Sequence, residues 1–449
     1  AGATTTTLDL DAAGNSALVN VDASATTGAT TITIDADLSA DGITVTGGSG
    51  NDTIDSSAGV LAKTDTIDGG AGTDTLRVQA TANTASATIA VDKATISNME
   101  VLELEADNDS NGGTAADFTV DMDLIDGVTS VVLDSNDTEF ASVFNLDDLS
   151  AAQAGAISVQ GVAGTTNGST VNLDLKDGTG AADSATITAS VKSGNVVQVG
   201  DDNGNIESLT VAMNGSTDAT LTIDTGDFAG DTTADGSITV TGGAAGKTLT
   251  ISGSIVSETL DMSGVASDVT VTMGTVDAKV TGGTGDDIIT MAATFNDSDT
   301  IDGGDGDDIL SLTQTAAVGA SVSISNVETL KFGGTGTTSV NMAGVTGATT
   351  VDLDAGAGFT GTQTLLSLSG VSKITIDADD NTAANNDYQA LTISNGFTGL
   401  ADALEVSINS DATNGMNGTE GLITVNGAED LTVSMTGGEA VQMGGLTSN

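Results

Sequence analysis

Four short stretches of the chain share one spacing of glycine, aspartate and a large aliphatic residue. Each fits the pattern GGxGxDxUx, in which U is the aliphatic residue, and they begin at Gly47, Gly69, Gly282 and Gly303. Three glycines within six residues allow a tight turn whose main-chain carbonyl oxygens point inward, and the aspartate adds a carboxylate. Carbonyl and carboxylate oxygens are the ligands that hard divalent cations such as Ca²⁺ prefer. The spacing therefore indicates loops that bind a divalent cation.

The four stretches form two pairs with the same flanking sequence. The second member of each pair directly follows an Asp-Thr-Ile-Asp segment, at 65–68 and at 299–302. A Ser-Asn-x-Glu-x-Leu segment lies downstream of each pair, at 97–102 and at 325–330, and Asn205–Leu209 is a looser copy without glycine loops. The alternative interpretation is a glycine-rich β-turn with its aspartate in solvent. We favour the metal loop because both copies retain the glycines, the aspartate and the aliphatic residue together.

The composition excludes several other chemistries. The chain of 449 residues carries 63 acidic and 9 basic residues, a formal net charge of −54, and contains no cysteine, histidine, proline or tryptophan. Serine–histidine catalysis, cysteine–histidine catalysis and zinc fingers all need residues that are missing. A strongly acidic field repels nucleic acid and attracts cations. We therefore expect no enzyme and no nucleic-acid partner, and we expect a divalent metal instead.

Short alternating strands must position these loops. Runs of about four to eight residues alternate Ile, Val or Leu with Thr or Asp, as in 31–35, 238–241 and 373–377, and Gly, Asn or Asp bounds them. This period of two places apolar side chains on one face of a strand and polar side chains in solvent. The pattern predicts an all-β fold, with helix confined to short pieces around 147–154 and 399–404.

Internal repetition sets the predicted organisation of the chain. Segment 234–243 resembles 40–48, but the aspartate that should follow is missing, which indicates a coil that kept its strands and lost its cation. The prediction is an N-terminal strand segment, a first nonapeptide block, a β-rich repeat region, a second nonapeptide block and a C-terminal β-rich repeat region. The bounds of these segments are 1–30, 31–105, 106–267, 268–333 and 334–449.

The nonapeptides resemble the repeats of the RTX proteins, which are secreted proteins of Gram-negative bacteria. The resemblance implies a parallel β-roll or β-solenoid with Ca²⁺ between the loops of neighbouring coils. It also implies that the aspartates are carboxylate ligands and that the glycines contribute main-chain carbonyls. By this resemblance, the candidate metal ligands are the first, third, fifth and sixth residues of each motif. They are Gly47, Ser49, Asn51, Asp52, Gly69, Ala71, Thr73, Asp74, Gly282, Thr284, Asp286, Asp287, Gly303, Asp305, Asp307 and Asp308.

The spacing of the loops departs from the commonest RTX arrangement. In that arrangement the nonapeptides run back to back, whereas here Gly47 and Gly69 are 22 residues apart and Gly282 and Gly303 are 21 apart. The resemblance therefore implies short rolls of a few coils rather than one long stack.

Within the RTX proteins, the chain most resembles surface-layer proteins. The scattered nonapeptide pairs, the Ser-Asn-x-Glu-x-Leu segments and the richness in Thr, Ala, Gly and Asp carry this likeness. It implies a structural protein that folds and self-assembles through calcium into a two-dimensional lattice on the outside of a Gram-negative cell. The implied partners are copies of the same chain, with a cell-surface polysaccharide as a further candidate. The absence of Lys and Arg after Lys373 fits the uncleaved C-terminal signals of type I secretion.

An alternative function is a calcium-dependent RTX adhesin or ligand-binding β-solenoid. Its support is a set of Thr-x-Thr pairs, at 31/33, 44/46, 239/241 and 270/272, which would line a flat hydroxyl face. Such threonines are more commonly just the polar side of a strand.

A further acidic loop is a candidate metal site, and no segment is a candidate membrane span. Segment 107–112 matches the first six positions of an EF-hand loop, so Asp107, Asp109 and Asn111 are additional candidate ligands. The alternative is a solvated turn stabilised by its own side chains. No run approaches the ~20 apolar residues of a transmembrane helix, so we expect no membrane span.

Overall fold

The structure is a computed structural model of the chain. It divides into two compact units, Ala1–Gly253 and Ser254–Asn449. The residues that it describes are 6–9, 18–34, 42–57, 61, 63–80, 88–90, 94–106, 117–125, 127–135, 142–160, 169–177, 183–190, 195–201, 206–224, 236–255, 257–274, 277–291, 295–312, 322–333, 338–354, 362–368, 370–377, 390–394, 403–409, 422–426, 428 and 430–436.

Short β-strands make up nearly all of the regular structure in the described residues. The strands are β1 (Thr6–Asp9), β2 (Asn20–Asp22), β3 (Thr30–Ile34), β4 (Thr44–Thr46), β5 (Thr53–Ser57), β6 (Thr66–Asp68), β7 (Thr75–Ala80), β8 (Thr88–Ala90), β9 (Thr95–Ser97), β10 (Val101–Ala106), β11 (Asp117–Asp121), β12 (Ser130–Ser135), β13 (Val143–Leu149), β14 (Ile157–Gln160), β15 (Ser169–Leu175), β16 (Ser184–Ser190), β17 (Asn195–Asp201), β18 (Ser208–Asn214), β19 (Ala219–Ile223), β20 (Ser237–Gly242), β21 (Thr248–Ile255), β22 (Thr259–Val265), β23 (Asp268–Met273), β24 (Lys279–Thr281), β25 (Ile288–Met291), β26 (Thr300–Asp302), β27 (Ile309–Leu312), β28 (Ser323–Ser325), β29 (Thr329–Gly333), β30 (Thr338–Asn341), β31 (Thr350–Asp354), β32 (Thr362–Leu366), β33 (Lys373–Asp377), β34 (Ala390–Ser394), β35 (Ala403–Asn409), β36 (Leu422–Val425) and β37 (Asp430–Thr436). Among the described residues, the helical elements are the one-turn helix α1 (Ala151–Ala154) and two 3-10 helices, Met122–Leu124 and Met342–Gly344.

In the first unit, neighbouring strands of a sheet are parallel and are not consecutive in the chain. One sheet has the order β1-β3-β5-β7-β10-β12-β14-β16-β18-β20, a second has β8-β11-β13-β15-β17-β19-β21, and a short third has β2-β4-β6-β9. The chain therefore passes from one sheet to another and back in each coil. This is the topology of a parallel β-solenoid, in which each coil contacts mainly its neighbours.

The second unit is built in the same way. Its sheets have the orders β22-β24-β26-β28, β23-β25-β27-β29-β31-β33-β35-β37 and β30-β32-β34-β36, again with parallel pairing. The prediction of an all-β fold with parallel β-solenoid segments is confirmed.

The alternation of apolar and polar residues produces the core. In β10, buried and partly exposed residues alternate along the strand. Ile32, Ile54, Leu76 and Leu102 lie side by side on four adjacent strands, and each is 0% exposed. Burying an aliphatic side chain of this size stabilises the fold by about 1.5–3 kcal/mol. The register is therefore fixed, because a one-residue slip would turn the whole column towards solvent.

The helix predicted around 147–154 is confirmed only in its second half, as α1, where Ser150 and Gln153 form a capping box. Residues 147–149 instead end strand β13. The helix predicted at 399–404 is wrong at Ala403 and Leu404, which begin β35. The reason is the period-two burial of that strand, which outweighs the local helix propensity. Residues 399–402 lie outside the described residues.

The arginine of the chain lies on a sheet surface and not in a metal loop. Arg77 Nε is 3.0 Å from Glu103 Oε2, and the guanidinium also approaches Asp55 at 4.0 Å and Glu105 at 3.9 Å. Residues 55, 77 and 103 are register partners on adjacent strands. Arg77 thus offsets part of the negative charge of three carboxylates on the two flanking strands.

No helix in the described part of the chain is long and apolar enough to cross a bilayer. The division into five sequence segments stays a prediction.

Candidate metal centre

The four glycine loops lie at turns where the chain passes from one sheet to another. In the first unit, 47–52 joins β4 to β5 and 69–74 joins β6 to β7; in the second unit, 282–287 joins β24 to β25 and 303–308 joins β26 to β27. The strands that follow the two loops of a pair are direct neighbours in register. The two loops of each pair therefore stack on one another in adjacent coils.

Glycine is required in these loops because the two backbones stack too closely for a side chain. A Cβ on Gly70 would overlap the carbonyl oxygen of Gly48, and one on Gly72 would overlap that of Gly50. Gly70 also has a φ of +94°, which favours glycine on its own account. The second unit repeats both overlaps at Gly304 and Gly306.

A ladder of carboxylates runs along the loops of the first unit. Oδ1 of Asp52 accepts a hydrogen bond from the main-chain N–H of Thr30 at 2.7 Å, and Oδ1 of Asp74 accepts one from the N–H of Asp52 at 2.7 Å. Glu100 continues the ladder, because its Oε2 accepts from the N–H of Asp74 at 2.7 Å. Hydrogen bonds to a carboxylate are short and strong. Each acidic side chain therefore fastens its own coil to the preceding one.

The second unit contains the same ladder. Asp287 Oδ1 accepts from the N–H of Val269 at 2.7 Å, and Asp308 Oδ1 accepts from the N–H of Asp287 at 2.8 Å. Glu328 Oε2 accepts from the N–H of Asp308 at 2.8 Å. The two units thus share the same series of hydrogen bonds, in which the first two acceptors are aspartates and the third is a glutamate.

The other carboxylate oxygen differs between the first and second loop of each pair. In the first loops, Oδ2 of Asp52 and Oδ2 of Asp287 accept hydrogen bonds from the second glycine of their own loop, at 2.6 and 2.7 Å. In the second loops, Oδ2 of Asp74 and Oδ2 of Asp308 are buried and have no hydrogen-bond partner among the described residues. A buried polar atom without a partner costs about 1–3 kcal/mol, and more when it is charged. Such an oxygen calls for a bound ion, a water or a proton.

Burial raises the pKa of the aspartates in the two second loops. It raises the pKa of Asp308 to about 7, and the negative charges of Asp287 and Glu328 add to the effect. Burial likewise raises the pKa of Asp74, together with the charges of nearby carboxylates. A divalent cation beside these groups would supply the missing counter-charge and favour their ionised form.

Main-chain carbonyl oxygens approach the carboxylates closely. A Cβ on Gly47 would lie 2.9 Å from Asp52 Oδ2 and would overlap the carbonyl oxygen of Gly69. In the part of the chain that the structure describes, no three Asp or Glu side chains gather into a metal-binding group by themselves. The donors at these loops are thus carbonyls and single carboxylates. Ca²⁺ accepts such a mixture, with ~6–8 oxygen ligands in flexible geometry.

The structure separates the predicted ligand residues into two groups. The first and sixth residues of all four motifs are buried, namely Gly47, Asp52, Gly69, Asp74, Gly282, Asp287, Gly303 and Asp308. The third and fifth residues are exposed, namely Ser49, Asn51, Ala71, Thr73, Thr284, Asp286, Asp305 and Asp307. Their individual assignment as ligands stays a prediction. Asp107, Asp109 and Asn111 lie outside the described residues.

Sequence reasoning assigned no function to four acidic residues that hold the coils together. Glu100 and Glu328 form the last rungs of the two ladders. Asp65 and Asp299 are both 1% exposed and act at the other turn of the coil, where Oδ1 of Asp65 accepts from the N–H of Ile43 at 2.9 Å. Oδ1 of Asp299 accepts from the N–H of Ala278 at 2.6 Å. The available signal was the presence of all four residues in segments that recur beside both nonapeptide pairs.

Comparison with protein families identifies the loops. The family model described as RTX calcium-binding nonapeptide repeat (4 copies) matches residues 44–60, 61–83 and 295–312. The chain carries RTX calcium-binding nonapeptide repeats. The RTX loop at 282–287 lies outside the matched residues, but it has the same carboxylate ladder as the others. No curated protein and no solved structure matches the chain significantly.

RTX nonapeptide repeats bind Ca²⁺, and they are typical of secreted proteins. The residues present fit this ion, because the loops offer buried carboxylate oxygens, closely approaching carbonyl oxygens and glycine turns without side chains. Asp52, Asp74, Asp287 and Asp308 would hold the ion with the loop carbonyls. Calcium would supply positive charge between stacked loops that otherwise place negative groups close together.

Proposed function

We propose that this chain is a structural surface-layer protein that folds and self-assembles with calcium into a two-dimensional extracellular lattice. Its position is the cell surface of a Gram-negative bacterium, and its role involves no catalytic step. Its partners are copies of the same chain, with a cell-surface polysaccharide as a second partner, and it has neither a nucleic-acid partner nor a membrane span. The support is the set of RTX repeats, which are typical of secreted proteins, together with the composition of the chain.

The observation that carries this proposal is a row of exposed carboxylates beside the RTX loops. Asp286, Asp305 and Asp307 are exposed, and the N–H of Asp307 donates to Asp286 Oδ1 at 2.9 Å. In a chain with a net charge of −54, such edges repel the same edges of another copy. A divalent cation removes this repulsion and bridges carboxylates of two copies. Calcium would therefore control both folding and assembly.

Electron microscopy of the purified chain, before and after addition of millimolar calcium, tests the proposal. We expect ordered sheets with calcium and dispersed particles without it. Magnesium at the same concentration is the matched control, because it dehydrates reluctantly and needs near-octahedral geometry. A protein that is fully folded in calcium, and stays monomeric at every calcium concentration, would contradict the lattice function.

A calcium-dependent adhesin is the second candidate, favoured by an uncharged hydroxyl surface on the first unit. Outward residues of β16, β18 and β20 form in-register columns, such as Thr186–Thr210–Thr239. In a neighbouring column, Ser237 Oγ donates to Ser208 Oγ at 3.1 Å. An adhesin would remain monomeric in calcium and bind a defined glycan on an array, whereas the lattice protein would form sheets without any added ligand.

A further inference from the structure

The coil that follows each pair of RTX loops has a shortened turn at the same corner. Asp68 pairs with Ser97 and Thr75 pairs with Val101, so only residues 98–100 correspond to the six-residue loop 69–74. In the second unit, residues 326–328 correspond in the same way to 303–308. We call residues 98–100 and 326–328 the Asn-x-Glu turns. They lie outside the segments that match the RTX repeat.

Two oxygens converge between each second RTX loop and its Asn-x-Glu turn. A Cβ on Gly69 would lie 2.9 Å from Asp74 Oδ2 and would overlap the main-chain carbonyl oxygen of Asn98. In the second unit, a Cβ on Gly303 would lie 2.6 Å from Asp308 Oδ2 and would overlap the carbonyl oxygen of Asn326. A carboxylate oxygen and a carbonyl oxygen thus flank the same glycine in both units.

The direction of these carbonyls is set by an unusual backbone conformation. Asn98 has a φ of +53° and Asn326 a φ of +51°, in the left-handed region. The Nδ2 group of Asn98 donates to Asp68 Oδ1, and that of Asn326 donates to Asp302 Oδ1, each at 2.7 Å. Asparagine adopts this conformation more readily than most residues do. The side-chain bond therefore holds the carbonyl where it meets the second RTX loop.

The carboxylate oxygens at this position have no donor. Asp74 is 0% exposed and Asp308 is 1% exposed, and the Oδ2 atom of each has no hydrogen-bond partner among the described residues. In the equivalent interval between the two RTX loops, Asp52 Oδ2 accepts from the N–H of Gly48 at 2.6 Å. In the second loop, the equivalent N–H of Gly70 donates to Asp68 Oδ1 at 3.1 Å and not to Asp74 Oδ2. Between the second RTX loop and the Asn-x-Glu turn, a buried carboxylate oxygen of Asp74 or Asp308 thus has no hydrogen-bond donor among the described residues to balance its negative charge.

We propose that each unit binds a Ca²⁺ ion between its second RTX loop and the Asn-x-Glu turn that follows. Asp74 Oδ2 and the carbonyl oxygen of Asn98 are ligands in the first unit, and Asp308 Oδ2 and the carbonyl oxygen of Asn326 are ligands in the second. Glu100 and Glu328, which accept the N–H of Asp74 and of Asp308, supply a second negative charge beside each ion. The Asn-x-Glu turn thereby forms the last calcium site in the stack of loops of each unit. This inference rests on calcium binding by the RTX repeats and is independent of the lattice function.

The chemistry of the site favours Ca²⁺ over other cations. Its donors are all oxygens, of carboxylate and carbonyl type, and they come from two different coils. Calcium tolerates such irregular mixed sets, whereas Mg²⁺ requires near-octahedral geometry and retains several waters. A monovalent cation would leave the charges of Asp74 and Glu100 incompletely balanced.

Anomalous diffraction from crystals of the full chain, grown with calcium and with terbium replacing it, tests the site directly. We expect a peak in each unit within about 2.3–2.6 Å of the Asp74 or Asp308 Oδ2 atom and of the Asn98 or Asn326 carbonyl oxygen. Peaks confined to the intervals between the two RTX loops of a pair would overturn the proposal.

Calcium titration of variants gives a second readout. Glu100→Gln and Glu328→Gln keep an oxygen that can accept the same N–H but remove the charge, so we expect one ion per variant to bind about 10- to 100-fold more weakly. The matched control is Glu207→Gln, because Glu207 Oε2 accepts from the N–H of Asp183 at 2.8 Å in a coil without an RTX loop. Metal-free circular dichroism spectra should be the same for all three variants. Unchanged calcium affinity in both test variants, or an equal loss in the control, would overturn the proposal.

Discussion

The sixth residue of each RTX loop uses its two carboxylate oxygens differently. Oδ1 is committed to the preceding coil, as in the 2.7 Å hydrogen bond from the N–H of Asp52 to Asp74. Oδ2 faces the interval to the next coil, where the second loops leave it without a donor among the described residues. We therefore expect one aspartate to serve both the fold and the metal. Asparagine could maintain the first contact but not the charge of the second.

The raised pKa of buried Asp308 predicts an unusual pH dependence of the metal-free protein. Burial raises the pKa of Asp308 from 3.8 to about 7, so the folded chain retains a proton there that the unfolded chain has already lost. Stability should then fall as pH rises between these two values and change little from this group above them. Thermal unfolding in metal-free buffer should accordingly give a lower Tm at about pH 7.5 than at about pH 5.

Two comparisons isolate the contribution of Asp308. Asp308→Asn removes the titrating group, so the fall in Tm should be smaller in this variant. Saturating calcium should reverse the trend, because the ion binds the deprotonated carboxylate and competes with the proton. A metal-free Tm that rises with pH over this range, or that is unaffected by Asp308→Asn, would show that the carboxyl group ionises normally in the fold.

At the scale of the element, the RTX loop is defined by backbone stacking as much as by its ligands. Each loop lies against the loop of the adjacent coil, and the second and third glycines of the later loop meet carbonyl oxygens of the earlier one. The Asn-x-Glu turn also stacks its backbone on the loop of the adjacent coil, although it has only three residues. It is shorter than the RTX loop by three residues, and the longer glutamate side chain still reaches the N–H of Asp74. Loop length and side-chain length thus change together.

Alanine substitution separates stacking from backbone strain. Gly72→Ala places a Cβ onto the carbonyl oxygen of Gly50, and we expect a loss of about 3 kcal/mol or more in calcium. Gly246→Ala is the control, because Gly246 has a φ of +69° but no described atom lies within 4 Å of its added Cβ. This control should lose only the about 1–2 kcal/mol of a left-handed alanine. Urea unfolding with calcium measures both, and equal losses would mean that the loops do not depend on stacking.

At the scale of the whole molecule, charge decides when the chain can be compact. A net charge of −54 repels itself, and the stacked RTX loops add carboxylates that lie close to one another. Aliphatic columns such as the one through Ile54 and Leu76 favour the fold at any calcium level. The loops, in contrast, are expected to need a bound cation before their folding becomes favourable. Calcium binding is therefore expected to be required for complete folding, and not only to follow it.

Removal of calcium should lower the stability of the chain strongly. At ~1,000-fold excess over the dissociation constant, one site that binds only the folded state contributes ~4 kcal/mol. We therefore expect EGTA to reduce the β-sheet signal in circular dichroism and to lower the Tm, and we expect calcium, but not magnesium, to restore both. Identical spectra and melting curves with and without EGTA would contradict calcium-dependent folding.

The sequence by itself determined the strand period, the glycine loops and the ion. Alternation of Ile, Val and Leu with Thr is a local property, and three glycines followed by Asp52 or Asp308 specify a tight oxygen-rich turn without reference to the rest of the chain. The helix predicted from local sequence at Leu404 was wrong, because burial of this side chain in β35 outweighs its helix propensity.

Only the tertiary structure decided which residues share a site. Glu100 lies 26 residues from the N–H of Asp74, and Glu328 lies 20 residues from that of Asp308, so spacing in the chain could not align them. Stacking of unequal coils brought these glutamates, and the carbonyl oxygens of Asn98 and Asn326, beside the RTX loops. The physical reason is that β-pairing fixes the coil register, and this register brings an atom of one repeat into contact with the next.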